Sequence, residues 1–322
     1  MMLTPEQMIL AADRILVLCH ASPDGDAIGA VLATGQIVRA LGKRVTVACA
    51  DPVPREYRYM PGVDEIVQRP EGAFDLIISL DSSDLPRLGE AYDAAKLGHV
   101  PILNIDHHIT NLNFGTVNWV EPGSASTCQL VLRLADSLGV EVTPDMATCL
   151  LSGIVMDTRG FTTPNTDLAA LRAAERLVSA GADLFDIARR ILVQRSFAMA
   201  KLWGEALSQA CLENGIVWVS LPASLMAQSD ASANGLSGLV AFLAGVEEAR
   251  VAILFRERGD GRVEVSLRSA PGVDVSGVAL SMGGGGHPQA AGFTLAEPLA
   301  DVEAKTLAAV RALLREREQA HG

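Results

Sequence analysis

The stretch ILVLCHASPDGDAIGA, residues 15–30, decides the fold class of this chain. It opens with an aliphatic run that has the length and composition of a buried strand, and an apolar helical pattern begins at Ala27 and continues to residue 41. A strand that leads through a short polar turn into a helix is the repeating unit of parallel α/β sheets. The turn carries one imidazole and two carboxylates, those of His20, Asp24 and Asp26.

The same alternation continues through the first half of the chain. It predicts an α/β domain built on a parallel sheet, with helices packed on the sheet. In such sheets, ligands bind at the edge formed by the carboxyl ends of the strands. The strand-like runs lie at residues 45–48, 76–80 and 102–105, and helical periodicity dominates at residues 126–138, 145–156 and 167–179.

The length of 322 residues and a later restart of the strand pattern predict two domains. We expect an N-terminal catalytic domain over residues 1–185, a helical connector over residues 186–208, and a smaller C-terminal α/β domain over residues 209–322. The active site is expected in the cleft between the two domains. The C-terminal pattern consists of strand-like runs at residues 216–221, 251–255 and 263–267, a glycine run, and a charged helix at residues 301–319.

Charge and composition exclude several classes of function. A formal net charge of -12 and a pI near 5.0 argue against binding of long duplex nucleic acid, which requires many lysine and arginine contacts to phosphates. No apolar run approaches the roughly 18 residues of a membrane span, and the first residues do not resemble a secretory signal. We therefore expect a soluble, cytoplasmic protein without a membrane partner. The five widely spaced cysteines are interpreted as small core residues.

Further candidates for metal binding lie where other elements end. Asp81 follows one strand-like run, and the triplet DHH, residues 106–108, follows the next. Asp157 lies at the end of an apolar helix, where a carboxylate is costly unless it pairs or binds a cation. Each of these positions could also have an ordinary role as a turn residue, a helix N-cap or a solvated side chain. Asp51 is interpreted as a turn residue, with a substrate contact as the alternative.

The types of donor predict a pair of divalent metal ions. Imidazoles mixed with carboxylates favour a transition metal, Mn²⁺ first, over Ca²⁺, with Mg²⁺ or Co²⁺ as alternatives. Four carboxylates would balance the charge of two divalent ions. Two ions about 3.5 to 4 Å apart can lower the pKa of a shared water molecule and neutralise a phosphate under attack. Such ions would also supply the local positive charge that the acidic chain lacks.

A resemblance to a known family rests on four motifs taken in chain order. These are HASPDGDAIG at residues 20–29, Asp81, DHH at residues 106–108, and Asp157. In order and spacing they resemble the DHH phosphoesterase superfamily. The resemblance implies a metal-dependent phosphoesterase with an N-terminal parallel-sheet DHH domain.

The resemblance extends into the second half of the chain. The segment GGGGHPQAAGF, residues 283–293, preceded by a strand that carries Arg268, is similar to the DHH-associated C-terminal domain. The compact two-domain length most resembles the bacterial nanoRNase and pAp phosphatase family, where pAp is adenosine 3′,5′-bisphosphate. The segment DPVPREYRYMPG, residues 51–62, also resembles that family.

The resemblance implies a role for each candidate near the metals. His108 would face the scissile phosphate as a hydrogen-bond donor or general acid, and Asp106 would orient an imidazole. Asp81 would bridge the two ions. The complete metal-binding set would be His20, Asp24 and Asp81 for one ion, and Asp26, Asp81, His107 and Asp157 for the other.

Candidates for substrate binding lie mainly in the C-terminal half. Glycines let backbone N–H groups approach an anion closely, and Arg268 and His287 add donors. Ser126, which precedes a helix, is either a phosphate contact or an N-cap. The substrate-binding set is therefore Arg268, Gly284, Gly285, Gly286, His287 and Ser126.

The expected function is hydrolysis of short single-stranded RNA to nucleoside monophosphates, with removal of one phosphate from pAp as a second activity. The alternative is a phosphodiesterase that acts on cyclic dinucleotides and linear dinucleotides. A manganese-dependent pyrophosphatase is disfavoured because the chain has GGGGH where that branch has a basic SRKKQ-like segment. A RecJ-type exonuclease would need further nucleic-acid-binding parts, and a non-catalytic nucleotide sensor would have lost a metal ligand. The resemblance also makes a homodimer plausible.

Overall fold

This computed structural model describes residues 3–227 and 236–321, without the side chains at 237 and 318–321. Over the described residues the chain divides into two compact units, with the division between Gln194 and Arg195. This division lies inside the segment predicted to be a helical connector.

The first unit is built on a parallel sheet, as the alternating pattern predicts. Over the described residues this sheet has five strands in the order β2-β1-β3-β4-β5, and every neighbouring pair is parallel. The edge strand β5 was not predicted, because its sequence VNWV is half-buried and carries no clear apolar pattern. The strands are β1 (Arg14–Cys19), β2 (Arg44–Ala48), β3 (Leu76–Leu80), β4 (Ile102–Asp106) and β5 (Val117–Val120).

Helices cover the sheet of the first unit. Their apolar faces pack on β1, β3 and β4 and form a buried core that includes Ile28, Leu130 and Leu150. The second face of the sheet is covered by a 3-10 segment, Leu85–Ala91, and by a short helix. The helices are α1 (Pro5–Ala11), α2 (Gly25–Ala40), α3 (Ala94–Leu97), α4 (Thr127–Ser137), α5 (Pro144–Asp157), α6 (Leu168–Ser179) and α7 (Leu184–Ala188).

The second unit contains a mixed sheet, so the predicted C-terminal α/β region is confirmed. Its described strands follow the order β10-β11-β9-β8-β7-β6, in which β7 and β8 are parallel and the other pairs are antiparallel. The strands are β6 (Cys211–Glu213), β7 (Ile216–Leu221), β8 (Val251–Glu257), β9 (Val263–Ser269), β10 (Gly285–His287) and β11 (Ala290–Leu295). The helices are α8 (Phe197–Ser208), α9 (Ala223–Ala227), α10 (Leu236–Leu243), α11 (Ser276–Ser281) and α12 (Leu299–His321).

The helical connector predicted over residues 186–208 is not one continuous helix. A π-helical turn, Arg189–Val193, follows α7, and α8 begins only after Ser196, whose side chain accepts a hydrogen bond from the Met199 N–H at 3.1 Å. The apolar face of α8, which includes Leu202, is buried in the core of the second unit. The helical connector predicted over residues 186–208 therefore consists of two parts, one in each unit.

The interpretation of the cysteines as core residues is right for four of them and wrong for one. Cys19, Cys49, Cys128 and Cys149 are buried free thiols, whereas Cys211 is exposed in β6. Because β6 is a three-residue strand at the edge of the sheet and all its residues are exposed, Cys211 does not reach the core. Among the described residues, no helix is both long enough and apolar enough to cross a membrane.

Helices α2 and α5 approach each other closely at Gly29. A Cβ atom at Gly29 would lie 2.4 Å from the backbone oxygen of Cys149, a contact that real Cβ atoms essentially never make. Gly204, in the exposed interior of α8, offers a matched comparison because a Cβ there would meet nothing within 4 Å.

We predict that the same substitution has opposite effects at these two glycines. Gly29→Ala should lower the free energy of unfolding by about 1–3 kcal/mol, because the helices must separate to admit the methyl group. Gly204→Ala should raise it by up to about 1 kcal/mol, because alanine is the better helix former. Denaturant unfolding of both variants measures these changes. Equal effects at the two positions would contradict the close helix contact.

Candidate active site

The parallel sheet brings the motif residues of three strands to one edge. β1, β3 and β4 are neighbours, so their carboxyl ends lie side by side. His20 follows β1, Asp81 follows β3, and His107 and His108 follow β4. His20 and Asp81 are buried, and the other two are half-buried. The sequence motifs thus meet although up to 87 residues separate them in the chain.

Two helices contribute the remaining carboxylates of this cluster. Asp24 is the N-cap of α2, Asp26 lies fully buried in the first turn of that helix, and α5 ends at Asp157. The contact between α2 and α5 leaves little room at this point. A Cβ atom at Gly153 would lie 2.5 Å from Asp26 Oδ1. A glycine in α5 is therefore needed to admit the Asp26 carboxylate.

The candidate ligand atoms converge into three overlapping groups. Within each group the atoms lie within 4.8 Å of one another. Asp81 and His107 each belong to two groups, which is the arrangement expected when neighbouring cations share ligands. Over the described residues the groups are His20, Asp24 and Asp81; Asp26, His107 and Asp157; and Asp81, His107 and His108.

Backbone carbonyl groups orient two of the imidazoles. His20 Nδ1 lies 2.8 Å from the Ala21 oxygen, and His107 Nδ1 lies 3.2 Å from the Ser124 oxygen. Because a carbonyl oxygen only accepts, the neutral ring carries its proton on Nδ1 in both cases. The Nε2 atom of each ring then faces the carboxylates, and His20 Nε2 lies 3.5 Å from Asp81 Oδ2. Metal-binding histidines usually make such a hydrogen bond through the ring nitrogen that does not face the metal, and it fixes the orientation of the ring.

The start of α4 holds two of the carboxylates. The backbone N–H groups of Thr127 and Cys128 donate to the two oxygens of Asp26, at 2.6 and 2.9 Å. The Thr127 hydroxyl donates to Asp81 Oδ1 at 2.9 Å. The sequence marked Thr127 only as part of a predicted helix start, where a phosphate contact or an N-cap was expected, and did not predict its contacts with the two carboxylates. One residue thus positions two candidate ligands from different elements.

Asp81 has an unusual backbone conformation. Its φ angle is 55°, in the left-handed region that residues with a Cβ rarely adopt. Its N–H donates to the Ile105 oxygen at 3.1 Å, so the residue is tied to the neighbouring strand. Backbone strain of this kind is often found where a functional side chain must be aimed in one direction.

The buried charges of the cluster shift one another's pKa values. Burial opposes protonation of His20, but the hydrogen bond to Asp81 and the charge of that carboxylate raise the His20 pKa to about 9. Burial would raise the pKa of Asp81, but His20, His108 and His107 together hold it well below its usual range. Asp81 is therefore a carboxylate at neutral pH.

Burial and neighbouring carboxylates disfavour the charged form of two other carboxylates in the cluster. Burial and the charges of Asp157 and Asp81 raise the pKa of Asp26 well above its usual value. Desolvation by the surrounding protein atoms raises the pKa of Asp157 to about 6, against the opposing effect of its hydrogen bond with His107. A carboxylate is destabilised in this way when its neighbours supply too little positive charge. Divalent cations would correct that deficit, so the donor set fits metal binding.

The contacts of Asp106 fit the orienting role that the family resemblance implies. It is fully buried, and Oδ1 accepts hydrogen bonds from the backbone N–H groups of His107 and His108, at 2.8 and 3.2 Å. The same oxygen lies 2.7 Å from His108 Nδ1. Because these contacts engage Asp106, it holds the ring of His108 at the edge of the cluster.

Several polar residues also have the ordinary structural roles that the sequence left open. The Asp24 carboxylate accepts the N–H groups of Asp26 and Ala27, so it caps α2 as well as facing the cluster. Ser126 is fully buried and caps α4 through the Gln129 N–H, which favours the N-cap alternative over a phosphate contact. Asp51 accepts the Ser22 N–H at 2.7 Å, as its interpretation as a turn residue requires.

In the second unit, the sheet aligns two of the predicted substrate-binding residues. Arg268 on β9 is paired with Ala290 on β11, and Ala290 is paired with His287 on β10. Residues directly opposite in antiparallel strands project from the same face of the sheet. Arg268 and His287 therefore lie in one row on one face, two strands apart.

The glycine run was expected to be an anion-binding loop, but part of it forms the edge strand β10. A Cβ at Gly284 would lie 2.2 Å from the Gly292 oxygen, and one at Gly286 would lie 2.5 Å from the Ala290 oxygen. Close packing of β10 on β11 thus explains these two glycines. A Cβ at Gly285 would meet nothing within 4 Å. Gly285 is therefore the member of the predicted substrate-binding set 284–286 whose surroundings are open.

Comparisons with known proteins identify the family. The model of the DHH family N-terminal domain matches residues 14–154, and the DHHA1 domain model matches residues 217–316. A bifunctional oligoribonuclease and PAP phosphatase from Thermus thermophilus is 36% identical over 305 residues, which cover 92% of this chain and 88% of that protein. The chain belongs to the DHH family.

Other DHH family relatives differ in length and named activity. A cyclic-di-AMP phosphodiesterase from Geobacillus thermodenitrificans is 28% identical over 87% of this chain but only 44% of its own length. Among solved structures, an exopolyphosphatase-related protein from Bacteroides fragilis superposes with a TM-score of 0.88 at 26% identity, covering 96% of this chain and 95% of that one. The two-domain α/β fold is thus shared along nearly the whole chain.

We predict that the Thr127 hydroxyl contributes to metal affinity. Thr127→Val keeps the shape of the side chain and the backbone N–H to Asp26 but removes the hydrogen bond to Asp81. Loss of a group that orients a ligand should weaken Mn²⁺ binding roughly 10 to 100-fold, measured by isothermal titration calorimetry. Thr127→Ser, which keeps the hydroxyl, is the matched control. Wild-type affinity in Thr127→Val would show that this hydrogen bond does not support the site.

Proposed function

We propose that this protein is a two-metal phosphoesterase that hydrolyses short RNA oligonucleotides to nucleoside monophosphates and removes one phosphate from pAp. The observation that carries the proposal is the overlap of three donor groups around Asp81 and His107. The substrate class is supported by the relative from Thermus thermophilus, which aligns with 92% of this chain.

The residues that would hold the metals follow from the donor groups. When bound, two divalent ions would activate a water molecule and neutralise phosphate charge. Mn²⁺ is the proposed ion because imidazoles increase affinity for transition metals, and Mg²⁺ and Co²⁺ are the alternatives. The proposed ligands are His20, Asp24 and Asp81 for one ion, and Asp26, Asp81, His107 and Asp157 for the other.

The protein's own contribution to bond cleavage is assigned to His108. Its Nδ1 atom is engaged with Asp106, so Nε2 is the ring nitrogen proposed to donate to the phosphate or to the leaving oxygen. The carboxylate of Asp106 and the proximity of Asp81 both raise the pKa of His108, against the effect of burial. A raised pKa favours the protonated ring that this proposed role requires.

Substrate selection is assigned to the few local cations of an acidic chain. The net charge of -12 disfavours long polyanions. The row formed by Arg268 and His287 on the second sheet is the proposed contact for a phosphate away from the reacting one. The backbone N–H groups of Gly284, Gly285 and Gly286 are proposed to take part in this contact, and Gly285 has the most open surroundings of the three. Such a set suits a substrate with few phosphates.

One alternative function has specific support. The cyclic-di-AMP phosphodiesterase from Geobacillus thermodenitrificans is 28% identical over 87% of this chain, so cyclic and linear dinucleotides are a second substrate class. This chain matches less than half of that protein, which weakens the transfer of its activity. We also propose a cytoplasmic location and a homodimer.

A substrate panel tests the proposed function. Purified protein is assayed with Mn²⁺ and with Mg²⁺ on RNA di- to pentanucleotides, pAp, pyrophosphate and cyclic di-AMP. We expect the fastest turnover on RNA dimers to pentamers, measurable release of phosphate from pAp, and higher rates with Mn²⁺. Preference for cyclic di-AMP would favour the alternative, and undiminished activity after dialysis against excess chelator would contradict a metal-dependent reaction.

We predict that the adjacent histidines His107 and His108 have separable roles. His108→Ala should lower kcat by about 10² to 10⁴-fold, the usual contribution of a general acid, while metal content stays near two per chain. His107→Ala should lose bound metal as well as activity, because its Nε2 faces Asp26, Asp81 and Asp157. Metal analysis of the dialysed variants decides between these roles. The reverse pattern would require their assignments to be exchanged.

A further inference from the structure

Three asparagines form a hydrogen-bonded chain beside the candidate active site. They lie at seven-residue intervals: Asn104 on β4, Asn111 in the loop that follows, and Asn118 on β5. Asn104 and Asn118 are paired in the register of the two strands. The Asn104 amide, which is fully buried, donates to Asn111 Oδ1 at 3.0 Å and lies 3.3 Å from Asn118 Oδ1.

Asn111 is the member of the chain that reaches the site. Its Nδ2 atom donates to Asp106 Oδ2 at 2.5 Å and to the Ser82 oxygen at 3.0 Å. Its Oδ1 atom accepts from Asn104 Nδ2 and from the Asn113 N–H, the latter at 2.7 Å. All four hydrogen-bonding positions of the amide are thus occupied. The side chain has one orientation that satisfies these partners.

The contacts of Asp106 divide between its two oxygens. Oδ1 is engaged by the two backbone N–H groups and by His108 Nδ1, whereas Oδ2 receives Asn111. Rotation of the carboxylate would break contacts on both sides. The direction of His108 therefore depends on Asp106, and the direction of Asp106 depends on Asn111.

We propose that Asn111 is a positioning residue for the reaction, which it serves by locking the Asp106 carboxylate against His108. The proposal rests on the proposed function, because it takes His108 as the proton donor. Asn111 touches neither the substrate nor the candidate metal ligands in this assignment. It acts through Asp106 alone, and its contribution should appear only in steps that need His108.

An alternative role for Asn111 is to hold the loop. The Asn111 N–H donates to the His108 oxygen, and the Leu112 N–H donates to the Ser83 oxygen at 2.8 Å, so the backbone already contributes to loop structure. Asn111→Asp separates the two roles. It is isosteric and keeps the oxygen that accepts from Asn104 and Asn113, but it replaces the donor to Asp106 and Ser82 with an acceptor. Asn113→Asp adds the same charge two residues away on an exposed position and is the matched control.

The experiment compares two leaving groups. An RNA dinucleotide releases a nucleoside alkoxide that needs a proton, whereas the p-nitrophenyl ester of thymidine 5′-monophosphate releases a phenolate that does not. We expect Asn111→Asp to lower kcat on the dinucleotide roughly 10 to 100-fold, with KM and metal content near wild type. On the p-nitrophenyl ester, kcat should change little. Asn113→Asp should behave as wild type on both substrates.

Asn111→Ser, which removes the amide without adding charge, is the second variant. It should show the same preference for the p-nitrophenyl ester. An equal loss on both substrates, a loss of metal, or no loss on the dinucleotide would each overturn the positioning role. A wild-type protein that cleaves the p-nitrophenyl ester but no dinucleotide would instead contradict the proposed function.

A spectroscopic measurement tests the positioning role of Asn111 independently of the substrate. The nitrogen-15 spectrum of the His108 ring, assigned with the His108→Gln variant, reports the hydrogen bond between Nδ1 and Asp106. We expect a hydrogen-bonded Nδ1 signal in the wild type and in Asn113→Asp, and a shifted or broadened signal in Asn111→Asp. An unchanged His108 signal in Asn111→Asp would overturn the proposal even if dinucleotides are not hydrolysed.

Discussion

The confinement of several carboxylates in one small buried volume is the constraint on which the rest of the first unit depends. Asp26 and Asp81 are almost completely removed from solvent, and Asp157 lies close enough to raise the pKa of Asp26. Such a cluster repels itself unless hydrogen bonds, imidazoles or cations offset the charge. The amides that begin α4 and the three histidines provide part of that compensation. The negative charge that these groups do not offset is the physical argument for bound cations.

The surrounding scaffold is shaped by the need to bring these groups together. The parallel order of β1, β3 and β4 places their carboxyl ends at one edge, and α2 and α5 pack closely enough there for Gly153 to be required next to Asp26. Asp81 accepts a left-handed backbone conformation at the same point. Local helix packing and backbone strain are thus tied to the site, so substitutions away from the ligands can alter it.

The second unit uses a different physical principle. Its mixed sheet places Arg268 and His287 in one row, and the glycines that the sequence associates with anion binding also serve the packing of the edge strand β10. The packing role of these glycines does not conflict with a phosphate contact, because Arg268 and His287 still project from one face of the sheet. The relative from Thermus thermophilus aligns with 92% of this chain, and the proposed function therefore involves residues of both units.

The sequence by itself determined the sheet class, the strand ends and the identity of the clustered side chains. Apolar runs such as residues 15–19 specify a buried strand, and a polar residue after each run falls at the same edge of a parallel sheet. Only the tertiary structure showed the contacts of Thr127 and Asn111, the capping role of Ser126, and the formation of β10 from the glycine run. These features depend on which distant segments meet. The Thr127 N–H, for example, donates to Asp26, which lies 101 positions earlier in the chain. No local pattern of hydrophobicity or spacing predicts that contact.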